Sequence, residues 1–115
     1  MRLEDQVSSL ELSKRLKELG VKQGESLFIM RVDGGHVILN KPQDWDSNSD
    51  HYYSAFTVAE LGAMLPQYPY YLPVRQKDGI EWGIRVNGEW IQEKTEADAR
   101  AKMLIHLIEK GLVTV

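Results

Sequence analysis

The stretch 44–53, with sequence DWDSNSDHYY, has residue types that could bind a metal ion. Acidic or amide side chains occupy alternate positions in it, as at the start of a calcium loop. These residues are Asp44, Asp46, Asn48 and Asp50. A complete loop that starts at Asp44 needs glycine at its sixth position for a sharp bend and a bidentate glutamate at its twelfth. The sequence has Ser49 and Ala55 there, so we predict a polar connecting loop and no calcium site.

The histidines give a second set of candidate groups. They are His36, His51 and His106, and the chain has no cysteine. None of them has a second histidine at the i+4 spacing of helical zinc sites. His51 follows Asp50, and a carboxylate can orient an imidazole as a general base, although adjacent residues on a strand point to opposite faces. A small metal-dependent hydrolase is therefore the alternative hypothesis, built around Asp44, Asp46, Asp50 and His51.

Sequence motifs of the common catalytic classes are absent. No serine lies in a G-x-S-x-G context, and no glycine-rich run has the spacing of a phosphate loop or a dinucleotide fingerprint. Glu93-Lys94 also misses the E-x-K spacing of metal nucleases. The sequence thus assigns no catalytic, cofactor-binding or metal-binding residue, and it favours a protein that is not an enzyme.

Aromatic side chains are the remaining candidates for function. With the strand pairing given below, Tyr71, Arg85 and Trp90 share the face opposite the apolar stripe, where arginine can stack on aromatic rings. Tyr52 and Tyr53 follow the acidic stretch and extend this candidate interaction patch. Such a patch suits a protein partner or stacked single-stranded bases. The other interpretation, that a helix covers this face and makes it a second core layer, stays open.

Composition and charge narrow the class of protein. The chain has 115 residues, of which 43% are hydrophobic and 27% are charged, and this favours a single globular domain over residues 1–115. The net charge of −3 gives no overall attraction to nucleic acid or to anionic lipid. No apolar run approaches the ~20 residues of a membrane span, and the N-terminal segment lacks a signal-peptide stretch. Together with the absence of cysteine, these features lead us to expect a cytoplasmic protein with no membrane contact.

Three amphipathic helices are predicted. The first has leucines at helical spacing in SSLELSKRLKELGV, with Ser8 and Glu11 as a capping box at its start. Gly20 stands where a left-handed residue ends a helix, and Val21 can then contact Leu16. The apolar positions are Leu12, Leu16 and Leu19.

The second and third helices also have start signals. Thr57 and Glu60 predict a capping box for a helix of about two turns, which Gly62 weakens by about 1 kcal/mol relative to alanine. Thr95 and Asp98 predict the start of the last helix, and Gly111 its end. The apolar stripe of the last helix is Ala97, Ala101, Leu104, Ile105 and Ile108.

The segments between the helices predict short strands. Asp33-Gly34-Gly35 indicates one hairpin, whose apolar runs do not decide which face is inward. Asn87-Gly88 indicates a two-residue turn that pairs Ile84 with Ile91 and Arg85 with Trp90. The apolar stripe of this region is Ile80, Trp82, Ile84 and Val86, which places Trp82 in the core.

A further strand is predicted over 70–75. A three-residue loop at 77–79 would pair Val74 with Trp82 and bring Arg75 opposite Glu81, whereas a two-residue loop would put Arg75 beside Trp82 on the core face. We predict the three-residue loop. Pro73 cannot donate to a strand ladder, so this strand is expected at a sheet edge. The complete prediction is an α+β fold, with a mainly antiparallel sheet of about five strands covered by three helices.

Three segments resemble those of small bacterial proteins found in phage and mobile-element gene neighbourhoods. The segments are LSKRLKELGVKQGESLFIM, FTVAELGAMLP and TEADARAKMLIHLIEKGLV. These proteins have no assigned activity, so the resemblance implies an accessory or protein-interaction role and no catalytic residue. The last helix, in ARAKMLIHLIEKGLVTV, also resembles part of a winged-helix domain, which makes nucleic-acid binding another alternative. We therefore expect a non-catalytic domain without cofactor that binds a protein partner.

Overall fold

The described part of the chain contains three α-helices and six short strands, which confirms the predicted α+β class. The computed structural model describes residues 3–23, 25–33, 36–40, 52–65, 74–75, 82–86 and 89–114. The helical elements are a 3-10 turn (Leu3–Asp5), α1 (Leu10–Glu18), α2 (Val58–Met64) and α3 (Glu96–Glu109). The strands are β1 (Phe28–Asp33), β2 (His36–Asn40), β3 (Tyr52–Ala55), β4 (Val74–Arg75), β5 (Trp82–Val86) and β6 (Glu89–Glu93).

The described strands form two antiparallel sheets, so the prediction of one sheet with about five strands was wrong. The first sheet has the order β2-β1-β3, and the second has the order β4-β5-β6. Each sheet contains strands that are consecutive in the chain, and α2 separates the two groups. Pairing between neighbours in sequence costs the least chain entropy. The alternation of apolar residues could not show whether the two groups would join at their edges.

The hairpins test the predicted strand registers. Ile84 pairs with Ile91 and Arg85 with Trp90, as the turn at 87–88 predicts. Asp33 pairs with His36, which confirms the first hairpin.

The register predicted for β4 was wrong, although β4 does lie at the edge of its sheet. Val74 pairs with Gly83, and Arg75 pairs with Trp82. The expected pairing brought Arg75 opposite Glu81 and kept it away from Trp82 on the core face, and an exposed ion pair contributes only about 0.2–1 kcal/mol. That energy is too small to decide a register by itself, and the observed pairing is the alternative register.

Local signals set most of the helix ends. Gly20 and Gly111 have positive φ angles of 94° and 73°. Each lies two residues after the last residue of its helix. The amide of Val21 donates to the Leu16 carbonyl at 3.0 Å, and the amide of Leu112 donates to the Leu107 carbonyl at 2.9 Å. Both ends are therefore Schellman motifs, as the sequence predicts.

The helix starts agree with prediction at two of three places. Thr57 and Glu60 form the complete capping box of α2, and the Thr95 hydroxyl accepts from the Asp98 amide at 3.1 Å. The predicted capping box of Ser8 at α1 was wrong. Ser9 is the N-cap residue, and its side chain makes no capping hydrogen bond. The Ser8 hydroxyl is instead used in tertiary contacts that are described below.

Helix α3 lies at the centre of the main core. It contacts α1, α2 and the sheet of β5 and β6, and residues on more than one of its sides are buried, which the single predicted stripe did not show. The buried α3 residues are Ala97, Ala99, Ala101, Met103, Leu104, Ile105 and Leu107. A second, smaller cluster joins Val7, Met30 and Ala55. Full burial of one such leucine stabilises the fold by about 1.5–3 kcal/mol, so α3 holds α1, α2 and the sheet of β5 and β6 together.

Candidate functional site

The predicted patch around Trp90 is only partly described by the structure. The Trp90 side chain is 43% exposed, so no helix fully covers it. Arg85 is its partner in the register, but the Arg85 side chain and all of Tyr71 lie outside the described residues. The placement of Tyr71 on this face also depended on the β4 register that the structure does not have.

Tyr52 and Tyr53 lie on β3, in the sheet that does not contain Trp90. The Lys17 ammonium lies 5.0 Å from the centre of the Tyr53 ring, and the Lys14 ammonium lies 5.7 Å from it. Lys17 also donates to the Tyr52 carbonyl at 2.9 Å. A shallow recess is lined by Lys14, Lys17, Glu18 and Tyr53, and we call it the Tyr53 recess. Of the five predicted patch residues, Tyr52 and Tyr53 thus lie in one sheet, and Arg85 and Trp90 lie in the other.

Residues 44–51, which belong to the acidic stretch that resembles a calcium loop, lie outside the described part of the chain. The predicted 77–79 loop also lies outside it. Among the residues that are described, no group of three His, Asp or Glu side chains could hold a metal ion. His106 is half-buried on α3.

A cleft opens between the two sheets. Its volume is about 650 Å³, which lies within the ~300–1,000 Å³ that is usual for ligand pockets. Its apolar walls come from the 3-10 turn, from the first residue of β1, from the first turn of α2 and from the first residue of β5. The lining residues are Leu3, Asp5, Gln6, Phe28, Thr57, Val58, Ala59, Trp82, Lys94, Thr95 and Glu96.

Trp82 has a different environment from the one that the sequence predicts. The strand alternation placed it in the core, whereas its side chain is half-buried and lines the cleft. It stands at the start of β5, opposite Glu93 in the register. A core-facing side chain at the end of a strand lies at the edge of the core, where it can border an open cavity.

The N-terminal wall of the cleft is held by a set of buried contacts that we call the N-terminal clamp: residues 7–9 with Ser13, Phe56, Thr57 and Asp98. Val7 forms a β-bridge with Thr57. The amide of Ser8 donates to the Phe56 carbonyl at 2.8 Å, and the amide of Phe56 donates to the Ser8 hydroxyl at 3.1 Å. The Ser8 and Ser13 hydroxyls lie 2.8 Å apart. These bonds fix the 3-10 turn, which carries Leu3, against the start of α2.

The α2 capping box positions the opposite wall. Glu60 accepts the amide of Thr57 at 3.0 Å, and its second carboxylate oxygen accepts the amide of Leu27 at 3.1 Å. The Glu60 side chain therefore caps the start of α2 and also holds Leu27, the residue before Phe28, beside it. Phe28 and Val58 are brought into the same wall in this way.

The charges near the cleft are mainly acidic. Its lining has the carboxylates of Asp5 and Glu96 and one ammonium, that of the exposed Lys94. Burial raises the pKa of the nearby Asp98 carboxyl. The charges of Glu93 and Asp5 raise this pKa further, while the Ser9 amide, which donates to Asp98 at 2.7 Å, lowers it.

The described lining combines apolar walls with a few polar groups that are already engaged. The two threonine hydroxyls are engaged as helix caps, because Thr57 accepts the Glu60 amide at 3.2 Å and Thr95 accepts the Asp98 amide. The described lining contains neither histidine nor serine beside the carboxylates. Apolar walls with a few polar groups are typical of a binding site.

Sequence reasoning did not identify this cleft. Leu3, Phe28 and Val58 are ordinary apolar residues in sequence, and they come from three separate elements. The two capping signals, at Thr57 and Thr95, were recognised as helix starts. Nothing in the sequence showed that these two helix starts meet at one cavity.

Comparison of the chain with known protein families, with curated proteins and with solved structures found no match. In the part of the chain that the structure describes, none of the helices has the length and apolar character needed to cross a bilayer. The function must therefore be argued from the cleft itself.

Proposed function

We propose that this protein is a non-catalytic interaction domain that binds a peptide segment of a protein partner in the cleft. The observation that carries the proposal is the cleft of about 650 Å³, whose walls combine Leu3, Phe28, Val58 and Trp82. Apolar and aromatic side chains in a preformed concave site supply most of the binding energy in protein interfaces.

Exposed apolar surface beside the cleft favours a peptide over a small molecule. Leu3 in the cleft wall is 39% exposed, and Leu27, which precedes Phe28, is 63% exposed. Leu27 is attached to the first turn of α2 through its bond to Glu60. An extended chain that fills the cleft would also cover apolar surface of this kind, which a compact small molecule leaves in water.

Selection from a library of random short peptides tests this proposal. Peptides selected on the wild-type protein are measured for binding to Leu3→Asp, in which a charge replaces an apolar wall residue. We expect affinity to fall by about tenfold or more, because the lost apolar contact and the cost of burying a carboxylate exceed 1.4 kcal/mol together. The amide NMR signals of residues 3–6, 57–59 and 94–96 should shift when the peptide binds to wild type.

Leu112→Asp is the matched control. Leu112 is 56% exposed and follows the far end of α3, whose 14 residues extend about 20 Å from the cleft. It should bind the selected peptides as the wild type does. Equal binding by wild type and Leu3→Asp, or failure to select any peptide, would overturn the proposal.

The other functional hypotheses stay predictions. The association with phage or mobile-element proteins rests on the three helical segments alone, and cytoplasmic location rests on composition. The patch of Tyr71, Arg85 and Trp90 with Tyr52 and Tyr53 is a second proposed interaction surface. Of these residues, Trp90 has the exposed aromatic side chain that such a surface needs.

A further inference from the structure

We infer that Arg100, whose side chain rests on Gly62, sets the distance between the α2 and α3 walls of the cleft. Through that distance it determines the size of the apolar anchor that a bound peptide carries. This inference rests on the proposed function and specifies how the cleft discriminates between partners. It follows from a contact between the two helices that lies one turn away from the cleft lining.

The Arg100 guanidinium lies against the backbone of α2 at Gly62. A Cβ atom added at Gly62 would stand 2.7 Å from Arg100 Nη1 and 3.8 Å from Cζ. The first distance is shorter than real Cβ atoms show, so any other residue at position 62 must displace the guanidinium. Glycine therefore has a packing role there, although it lowers the helix propensity of α2.

The guanidinium is enclosed between the two helices. The Arg100 side chain is 17% exposed, and its Nε atom is buried without a hydrogen bond to any described residue. A carboxylate oxygen of Glu96 lies 3.8 Å from Nε, which is an ion pair but too long for a hydrogen bond. The position of the guanidinium therefore depends on its packing against α2 and on this longer ion pair.

The contact of Gly62 with Arg100 lies one helical turn from the cleft on both helices. Gly62 follows Val58 by four residues, and Arg100 follows Glu96 by four residues. Residues at this spacing share a helix face, and both Val58 and Glu96 line the cleft. Helices α2 and α3 contact each other, and the distance between packed helices depends on the side chains at their contact. The Arg100 side chain therefore sets how far the Val58 wall stands from the Glu96 wall.

Two substitutions should move these walls in opposite directions. Gly62→Ala places a methyl group where the enclosed guanidinium lies, which pushes the two helices apart. Arg100→Ala removes the spacer, so α2 can approach α3. We therefore expect Gly62→Ala to favour larger anchors, and Arg100→Ala to favour smaller anchors, than the wild type does.

The first arm of the experiment measures anchor preference. The anchor is the apolar residue of a selected peptide whose replacement by alanine costs the most affinity, and it is varied from valine to tryptophan. The ratio of the affinities for the tryptophan and valine peptides should rise about threefold or more in Gly62→Ala and fall about threefold or more in Arg100→Ala, because apolar pockets discriminate strongly by size. Affinities are measured where the amide NMR spectrum shows each protein to be folded. A role in stability alone would leave this ratio unchanged.

The second arm measures the contact itself, without a peptide. In the Arg100→Ala background, Gly62→Ala should raise the equilibrium constant of folding by about fivefold, which is the helix-propensity difference between the two residues. With Arg100 present, the gain should be smaller by about twofold or more, because the guanidinium must move. If Arg100→Ala does not fold, Arg100→Met takes its place in both arms, since it keeps an apolar stem and lacks the guanidinium.

Ala63→Gly is the matched control. Ala63 is exposed on α2 and is not among the described residues that line the cleft. This change should lower the equilibrium constant of folding by about fivefold and leave the affinity ratio unchanged. A shift in that ratio would overturn the inference, because the stability of α2 would then govern the anchor preference.

The outcomes separate this inference from the proposed function. An unchanged affinity ratio in either variant, or shifts in the same direction, would overturn the role of Arg100. If Leu3→Asp still weakened binding, the cleft would remain a binding site. Equal gains from Gly62→Ala with and without Arg100 would also overturn that role, because the guanidinium would not oppose a side chain at position 62. Failure to select any peptide would overturn the proposed function and the anchor preference together.

Discussion

Two regions connect the N-terminal part of the chain to β3 and to Phe56, which follows β3. They are the N-terminal clamp and the Tyr53 recess, and they use different kinds of contact. The N-terminal clamp uses short hydrogen bonds among fully buried groups, with Val7, Ser8 and Ser13 at 1%, 0% and 0% exposure. The Tyr53 recess uses two lysine ammoniums at 5.0 and 5.7 Å from an aromatic ring. One region excludes water and the other does not.

The difference shows which contacts can hold the wall of the cleft. A buried donor that loses its acceptor costs about 1–3 kcal/mol, because water cannot replace the lost partner. An exposed cation–π contact contributes about 0.5–1 kcal/mol, since the ammonium stays hydrated. We therefore expect the N-terminal clamp to fix the geometry of the cleft. We expect the contacts of the Tyr53 recess to have little effect on that geometry.

The largest effect should come from the buried serine pair. Ser8→Ala removes the acceptor of the Phe56 amide and the partner of the Ser13 hydroxyl. We expect the free energy of unfolding to fall by about 1–3 kcal/mol, measured by chemical denaturation.

A double-mutant cycle with Ser13→Ala isolates the contact between the two hydroxyls. The two changes together should cost less than the sum of the single changes, by about 0.5 kcal/mol or more. Exactly additive costs would mean that the hydroxyls do not stabilise each other.

The second effect concerns pH and Asp98, which joins the clamp to α3. Burial raises the pKa of Asp98 above its ordinary value of 3.8, so the folded protein binds this proton more tightly than the unfolded chain does. The contribution of Asp98 to the free energy of unfolding should therefore be greatest below pH 3.8. It should fall as the pH rises through the raised pKa.

Asp98→Asn tests this by removing the charge while its amide oxygen can still accept the Ser9 amide. The free energy of unfolding is measured for both proteins between acid and neutral pH. The difference, wild type minus variant, should decrease with rising pH in that window and be constant above it. A difference that increases with pH would mean that the ionised carboxylate is favoured in the fold.

The smallest effect should be in the Tyr53 recess, and its two lysines can be compared. Lys17→Met removes the ring contact and the bond to the Tyr52 carbonyl, whereas Lys14→Met removes the longer ring contact. We expect costs of about 0.5–1 kcal/mol for Lys17 and below about 0.5 kcal/mol for Lys14. If either substitution cost as much as Ser8→Ala, the distinction between buried and exposed attachment would not hold.

Several parts of the fold could be predicted because their causes are local. Gly20 and Gly111 end helices through bonds that span five residues, and Thr57 with Glu60 starts one through bonds that span three. The pairing of β5 with β6 is likewise the one that a two-residue turn at Asn87-Gly88 predicts. For such features the competing conformations are few, and the side chains needed are adjacent in sequence.

Other predictions were wrong where a distant contact competed with a local one. Ser8 has the residue type and spacing of a helix cap with Glu11, but its hydroxyl binds Phe56, which lies 48 residues away. Burial of the Phe56 amide makes that bond more valuable than an exposed helix cap. The β4 register also differs from the one that brings Arg75 opposite Glu81, as the sequence suggested.

The candidate site was the least predictable part. Tyr52 and Tyr53 lie in a different sheet from Trp90, while the cleft is built from apolar residues that no motif distinguishes. Trp82 differs from the other apolar cleft residues because its strand pattern led to a prediction, although that prediction placed its ring in the core. Its position at the start of β5, next to the cavity, depends on how the sheets meet.

The sequence by itself determined the three helices, the caps at Thr57 and Thr95, the glycine ends at Gly20 and Gly111, and the pairing within the two hairpins, because each depends on hydrogen bonds between residues a few positions apart. The tertiary structure alone decided that there are two sheets, that Ser8 and Asp98 connect segments distant in sequence, and that a cleft opens between the two sheets. Those features depend on small differences in burial and desolvation between many alternative packings, and these differences exist only when the whole chain is folded.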